Sequence, residues 1–118
     1  PVRLSTGRRN PSITLLLKYP HFNVLLTCDI LEKIEIQIVD YCRKAGCPQD
    51  IEVLKVAHHG SKTSTSQEFL DYFKSQKAII CVGENRYGHP TQEVIDRLVD
   101  AGSEILRTDL RGDVEIKK

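Results

Sequence analysis

The fold is decided by the stretch IEVLKVAHHGSKTSTSQEFL, residues 51–70. Residues 51–57 form a short run of mostly apolar and β-branched side chains, which predicts a strand. The run stops at two adjacent histidines, His58 and His59, which a glycine and several hydroxyl side chains follow. A short helix is then predicted over residues 66–76. The stretch therefore indicates a strand and a helix that are joined through a histidine turn.

Strands and helices continue to alternate on both sides of this unit. The predicted strands cover residues 12–19, 22–28, 77–83 and a closing hairpin of 103–109 with 113–118, and the predicted helices cover 30–45 and 90–102. Thr65 is predicted to be the N-cap of the helix over 66–76, with Glu68 completing a capping box. From residue 22 onward the order is β-α-β-α-β-α-β-β, which is typical of an α/β protein with a largely parallel sheet.

Composition narrows the class of protein without identifying its function. The 118 residues fit one domain, and 40% apolar with 28% charged residues is ordinary for a globular chain. A net charge of +1 neither indicates nor excludes nucleic-acid binding. No apolar run approaches the ~18 residues of a membrane span, and no signal peptide is visible. Because the chain starts at Pro1 and contains no Met, we expect a piece of a longer protein, a single partial domain over 1–118 with a flexible start over 1–10.

The cysteines do not indicate a structural zinc site. Cys28, Cys42, Cys47 and Cys81 contain no CxxC pair. Cys42 and Cys47 are close enough in sequence to pair, but nothing in the sequence requires it. Bridges are rare in domains with few cysteines, so no disulfide is expected.

Chemically distinctive side chains follow the predicted parallel strands. Asp29 follows the strand over 22–28, His58 and His59 follow the next one, and His89 lies beyond the third. The carboxyl ends of parallel strands meet at one edge, where ligands of open α/β sheets bind. Imidazole and carboxylate are ligands for zinc, iron or manganese, and a carboxylate can bridge two metals in a hydrolytic centre. If the strand continues through the histidines, one faces a metal and the other the substrate.

Simpler roles remain open for each of these residues. Asp29 precedes a predicted helix and has the right chemistry for an N-cap. The pair His58 and His59 fits an ordinary turn, and His89 fits a cap or a loop hydrogen bond. The hydroxyls of residues 61–66 are expected mainly to cap the next helix, although with Lys62 they could also hold a phosphate near its N-terminus.

Several motifs in this order strongly resemble one family. The motifs FNVLLTCDI, VLKVAHHGSKTS, ENRYGHP and RTDLRG resemble the C-terminal half of the metallo-β-lactamase-fold domain of ComEC-type competence proteins. The resemblance covers roughly residues 10–117, nearly the whole chain. It implies half of an αββα sandwich with a two-metal site, holding zinc or manganese, at its rim.

The resemblance also implies roles for individual residues. Asp29 matches the bridging carboxylate and His59 the late histidine, so both are expected to bind metal. His58 is expected to line the substrate side, and His89 to contact substrate or support a ligand. The parent would be a bacterial cell-membrane channel that imports single-stranded DNA. Its lactamase-like domain would lie on the outer face and act as a nuclease on the other strand.

Two departures from the family pattern qualify this expectation. Cys28 stands where the family usually has Gly. The family's His-x-His-x-Asp-His cluster is absent, so the chain carries half a site and is expected to be inactive and metal-free alone. Its expected partners are DNA, the missing N-terminal half of the domain and, through an exposed sheet face, a second copy of itself.

Two other functions fit the same residues. One is a hydrolase of another phosphoester, such as a choline-phosphate ester. The other is a module without catalysis that guides DNA or serves assembly, with phosphate contacts from basic side chains. The candidates for those contacts are Arg8, Arg9, Lys55, Lys62 and Arg86.

Overall fold

The computed structural model describes residues 12–117, together with the backbone of residues 2–4. The strands are β1 (Val2–Leu4), β2 (Thr14–Tyr19), β3 (Phe22–Leu26), β4 (Asp50–Lys55), β5 (Lys74–Ile80) and β6 (Glu104–Arg107). The helices are α1 (Glu32–Ala45), α2 (Gln67–Tyr72), α3 (Gln92–Asp100) and α4 (Thr108–Arg111), and a 3₁₀ turn covers Ala57–Gly60. Of the start predicted to be flexible, Val2–Leu4 form a strand, and the rest of 1–10 lies outside the described residues.

The six strands form one mixed sheet in chain order, β1 to β6. Strands β1, β2 and β3 pair antiparallel, and β3, β4, β5 and β6 pair parallel. Right-handed crossovers between successive parallel neighbours put their helices on one face of the sheet. Accordingly, α2 contacts both α1 and α3. The predicted α/β class, the first hairpin and the parallel order are confirmed.

The hydrophobic core lies between the helices and one face of the sheet. Leu25 of β3 is in register with Leu16 on one side and Leu54 on the other, and Leu54 is in register with Ala78. All four side chains are buried in the same cluster as the apolar sides of α1, α2 and α3.

The other face of the sheet, here the open face, carries two cross-strand rows. In register, they are Leu15, Leu26, Lys55, Ile79, Leu106 and Leu17, Val24, Val53, Lys77, Glu104. None of these side chains belongs to the core cluster. Within the described part of the chain, no helix between β3 and β6 covers this face.

Two predictions at the C-terminal side are wrong. The helix expected over 66–76 ends at Tyr72, because Lys74 pairs with Asp50 of β4 and starts β5 early. The closing hairpin does not form, because the chain turns into α4 after β6 and residues 112–117 form no strand. Thr108 causes the turn: its Oγ1 accepts a hydrogen bond from Val82 N at 2.8 Å, which ties the chain back to the end of β5.

The start of α2 also differs from the prediction. Ser66 is the N-cap, and its Oγ accepts the Phe69 N–H at 3.3 Å. Thr65 instead has a left-handed backbone, with φ 56°. Its N–H is engaged by a buried side chain of α1, so it lies outside the helix.

Cys42 and Cys47 form a disulfide, contrary to the expectation of none. The sequence separation of 5 residues spans the end of α1, where Gly46 adopts a left-handed C-cap that turns Cys47 back toward the helix. Sequence spacing alone did not reveal this turn geometry. Among the described residues, no helix has the length and apolar character needed to cross a bilayer.

Candidate functional site

The candidate site lies where β3, β4 and β5 end. The His58 N–H donates to Cys28 O at 2.9 Å, which joins the segment after β4 to the segment after β3. Asp29, the next residue, is exposed. Cys28 has φ 49°, in the left-handed region that favours glycine, which is the residue expected here from the resemblance.

The strand β4 ends before the two adjacent histidines. β4 ends at Lys55, and His58 (φ 51°) and His59 (φ 55°) both have left-handed backbones within the turn. The expectation that they alternate along a continuing strand is therefore wrong. Two successive non-glycine residues in this region carry strain that the surrounding contacts must hold, a situation found preferentially at functional sites.

His59 is oriented by the end of β5. Its Nδ1 lies 2.6 Å from Cys81 O. Because a carbonyl oxygen only accepts, Nδ1 carries the hydrogen in this contact. In the neutral ring the lone pair is then on Nε2, the tautomer that binds a metal or accepts a proton.

The rings of His58 and His89 lie next to each other. Their ring centroids are 5.9 Å apart, in an edge-to-face arrangement. His58 Nδ1 is buried without a hydrogen-bond partner among the described residues. Burial, followed by the neighbouring His58 and His59, lowers the pKa of His89 from its usual value, so its imidazole is neutral at pH 7. We call His58, His59 and His89 the histidine rim.

A cleft of 220 Å³ opens beside the rim. Its lining residues are His59, Val82, Gly83, Glu84, Asn85, Tyr87 and His89. Sequence reasoning placed His89 at this edge but missed Tyr87, whose ring stacks on His89 at 5.7 Å. The signal available in the sequence was an aromatic residue between two turn-forming polar ones in ENRYGHP.

A buried carboxylate holds the segment between the histidine turn and α2. Glu35 of α1 is fully buried, and its Oε2 and Oε1 accept the N–H groups of Thr65 and Ser66 at 2.6 and 2.9 Å. Burial raises the pKa of Glu35 above its usual value, although the two N–H donors oppose the rise. Arg97 of α3 donates to Thr65 O at 2.7 Å, so this residue is held on both sides.

The hydroxyl side chains of residues 61–66 are largely structural. Ser61, Ser64, Thr65 and Ser66 are all buried. Ser64 Oγ donates to Ile30 O at 2.5 Å, and Ser66 caps α2. These contacts agree with the expected capping role and leave Lys62 and Thr63 as the exposed members of the segment.

The described residues do not make a metal site by themselves. No group of three or more His, Cys, Asp or Glu side chains converges in residues 12–117 so that it would hold an ion. His59 has the right tautomer for a ligand, but two or more further ligands would have to come from elsewhere.

Comparison with known proteins identifies relatives of this chain. It is 33% identical over 112 residues, 94% of its length, to ComE operon protein 3 of Bacillus subtilis. The chain is related to competence proteins. It is also 39% identical over 90 residues to competence protein ComA of Neisseria gonorrhoeae, and 40% identical over 95 residues to recombination protein 2 of Haemophilus influenzae. No protein-family model matches the chain.

The similarity covers most of this chain but little of each relative. The alignments span 14%, 13% and 11% of the lengths of the Bacillus, Neisseria and Haemophilus proteins. The chain therefore aligns with one small region of each of these proteins, which are several times longer.

Proposed function

We propose that this competence homologue is a DNA-handling module and that its histidine rim forms one side of a phosphodiesterase centre. The orientation of His59 carries the proposal. Its Nδ1–H is committed to Cys81 O, while the ring lines the cleft that it shares with His89. A ring held in this way has its reactive nitrogen defined before a substrate arrives.

The rim supports proton transfer at phosphorus on chemical grounds. His59 has one free lone pair, on Nε2: without a metal it would accept a proton there from a water molecule, and with a metal bound at Nε2 the ion would activate that water instead. His89 is neutral at pH 7 because its pKa is lowered, so it does not add positive charge beside His59. His58 fixes the distance between the two strand ends through its backbone contact with Cys28.

A metal remains part of the proposal. Asp29 and His59 are the residues of this chain that would bind zinc or manganese, with the other ligands supplied from outside the described residues. The ion would acidify a water molecule for attack on a phosphodiester.

We further propose that the parent protein lies in the bacterial cell membrane, with this module on its outer face. The similarity to competence proteins supports a membrane-associated parent. DNA would then reach the rim during uptake.

The test is cleavage of single-stranded and double-stranded DNA by the natural protein that contains this chain, with Mn²⁺ or Zn²⁺ present. We expect His59→Gln to lower the rate by about 10²–10⁴-fold. The matched control is His21→Gln, because His21 lies in the β2–β3 turn at the opposite end of β3 and is exposed. Equal rates for His59→Gln and the wild type would contradict the proposal.

One alternative is a rim that guides DNA without cleaving it, in which Asp29 and His59 would hold no metal. In that case His59→Gln and His21→Gln would both leave the result unchanged, because the protein would not cleave DNA. DNA binding would persist without metal and would weaken steeply with salt. Cleavage of a choline-phosphate ester but not of DNA would instead indicate a hydrolase of other phosphoesters.

A further inference from the structure

Tyr87 is the most exposed large hydrophobic side chain among the described residues. Its exposed fraction is 82%, and it lies beside the histidine rim in the 220 Å³ cleft. The Tyr87 and His89 rings are stacked with an interplanar angle of 28°. One side of the phenol ring is therefore backed by an imidazole, and most of the remaining surface is open to solvent.

The exposure of Tyr87 is built into its loop. Asn85 Oδ1 accepts the N–H groups of Tyr87 and His89, each at 3.0 Å. Asn85 Nδ2 donates to Gly83 O at 3.0 Å and to His89 O at 2.8 Å. These four bonds from one amide close the segment 83–89, here the stacking loop, around Asn85 and direct Tyr87 outward.

The stacking loop is also fixed to the rim. The Thr91 N–H donates to Gly60 O at 3.0 Å, immediately after His58 and His59. Pro90 packs so closely on Gly60 that a Cβ at Gly60 would lie 2.5 Å from Pro90 Cβ. The contacts of Pro90 and Thr91 with Gly60 therefore hold the end of the stacking loop next to the histidines.

We propose that Tyr87 is a stacking platform for a base of single-stranded DNA, an inference that rests on the proposed function. A flat, rigid, solvent-exposed ring gains most from a flat apolar partner, and a nucleobase is such a partner. Stacking tolerates any base sequence, because every base has a π-face. Arg86, the exposed neighbour of Tyr87, is available to a backbone phosphate. The platform positions the strand beside the rim and leaves the reaction to the histidines.

The experiment measures binding, not cleavage, on the natural protein that contains this chain, in EDTA. The probes are a labelled deoxyadenosine oligonucleotide and a matched strand with abasic sites in place of the bases. We expect Tyr87→Ala to weaken binding of the base-bearing strand by roughly 5- to 100-fold and of the abasic strand by less than about twofold. Tyr87→Phe should retain the base preference, because it keeps the ring.

Tyr41→Ala is the matched control, since Tyr41 is also exposed, at 54%, but lies on α1 away from the rim. The proposal is overturned if Tyr87→Ala weakens both strands equally, if it weakens neither, or if the wild type has no preference for bases. If one of these results is found while DNA cleavage still depends on His59, the stacking proposal fails and the proposed phosphodiesterase function stands. A base preference that depends on Tyr87 in a protein that cleaves no DNA supports the platform alone.

Discussion

Two neighbouring histidines contact different strands because of their backbone, not because of side-chain alternation. With both φ angles near +50°, His58 directs its ring toward His89 and its N–H toward Cys28 O, while His59 reaches Cys81 O. The pair therefore connects the ends of three strands. Left-handed backbone at a histidine is uncommon, and here contacts to two other segments compensate for the strain.

At the residue scale, Gly60 is expected to tolerate no side chain. An added Cβ would lie 2.5 Å from Pro90 Cβ and 2.9 Å from Pro90 Cα, and Gly60 has φ +83°. Gly60→Ala should cost ~1–2 kcal/mol for the left-handed backbone, and the collision should add ~1–3 kcal/mol. The free energy of unfolding from urea titration measures the total.

Gly102→Ala separates these two effects. Gly102 has the same φ, +83°, but nothing lies within 4 Å of its added Cβ. The control should show the backbone cost alone. Equal losses of stability at Gly60 and Gly102 would mean that the packing of Pro90 on Gly60 does not hold the stacking loop in place.

At the scale of single elements, the segment between the histidine turn and α2 depends on two other helices. Glu35 of α1 accepts two of its N–H groups, and Arg97 of α3 donates to Thr65 O. The α2 helix has only 6 residues, too short to be stable by its own hydrogen bonds. Its start is therefore determined by neighbours that are about 30 residues away in sequence.

Glu35→Gln should destabilise the chain by about 1–3 kcal/mol. The amide oxygen replaces one acceptor, but the amide nitrogen then faces a backbone N–H of Thr65 or Ser66, and that donor is left unsatisfied inside the protein. Chemical denaturation measures the loss. Glu68→Gln is the control, because Glu68 is an exposed residue in the first turn of α2 and should cost little.

The pH dependence of the free energy of unfolding should reveal the raised pKa of Glu35. Burial raises its folded-state pKa above the value of 4.5 in the unfolded chain. A raised carboxyl pKa contributes stability that is complete below pH 4.5 and is lost as the pH rises through the folded-state value. We therefore expect the difference in unfolding free energy between the wild type and Glu35→Gln to narrow as the pH rises from about 4.5. A difference that widens over this range would contradict the raised pKa.

At the scale of the whole molecule, the sheet is covered by helices on one face. The open face carries two rows that contain seven apolar side chains, and Leu15, Leu17, Val24 and Leu26 remain half-buried within it. Near β6 the C-terminal residues Val114 and Ile116 line a groove of 370 Å³ together with Leu106 of that face. Parallel strands usually have both faces covered, so we expect the apolar side chains of this face to be a contact surface.

We expect the isolated chain to associate with a second copy through this open face. Leu17→Lys places a charge in one apolar row and should shift the chain toward monomer. Sedimentation velocity over a range of concentrations measures the effect. Tyr41→Lys introduces the same charge at an exposed position on α1 and should leave association unchanged. A wild-type chain that is monomeric at every concentration would contradict the expectation.

The sequence by itself determined the order of the elements and the main candidates for the site. Alternation of strands and helices predicted the parallel sheet, and chain order then predicted that Asp29, the histidine pair and His89 follow strands that end at the same edge. These features depend on local periodicity, which a sequence records directly, and on the right-handed crossover, which is common to nearly all parallel sheets.

Only the tertiary structure decided what those residues contact. The left-handed turn at His58 and His59, the buried Glu35, the early start of β5 and the stacking of exposed Tyr87 on His89 all depend on partners that lie far away in sequence or on a backbone conformation imposed by packing. Local propensity carries no information about such contacts. The physical reason is that burial and hydrogen-bond partners are properties of the assembled layers, where the sheet pairing of Lys74 with Asp50 outweighs a helical pattern.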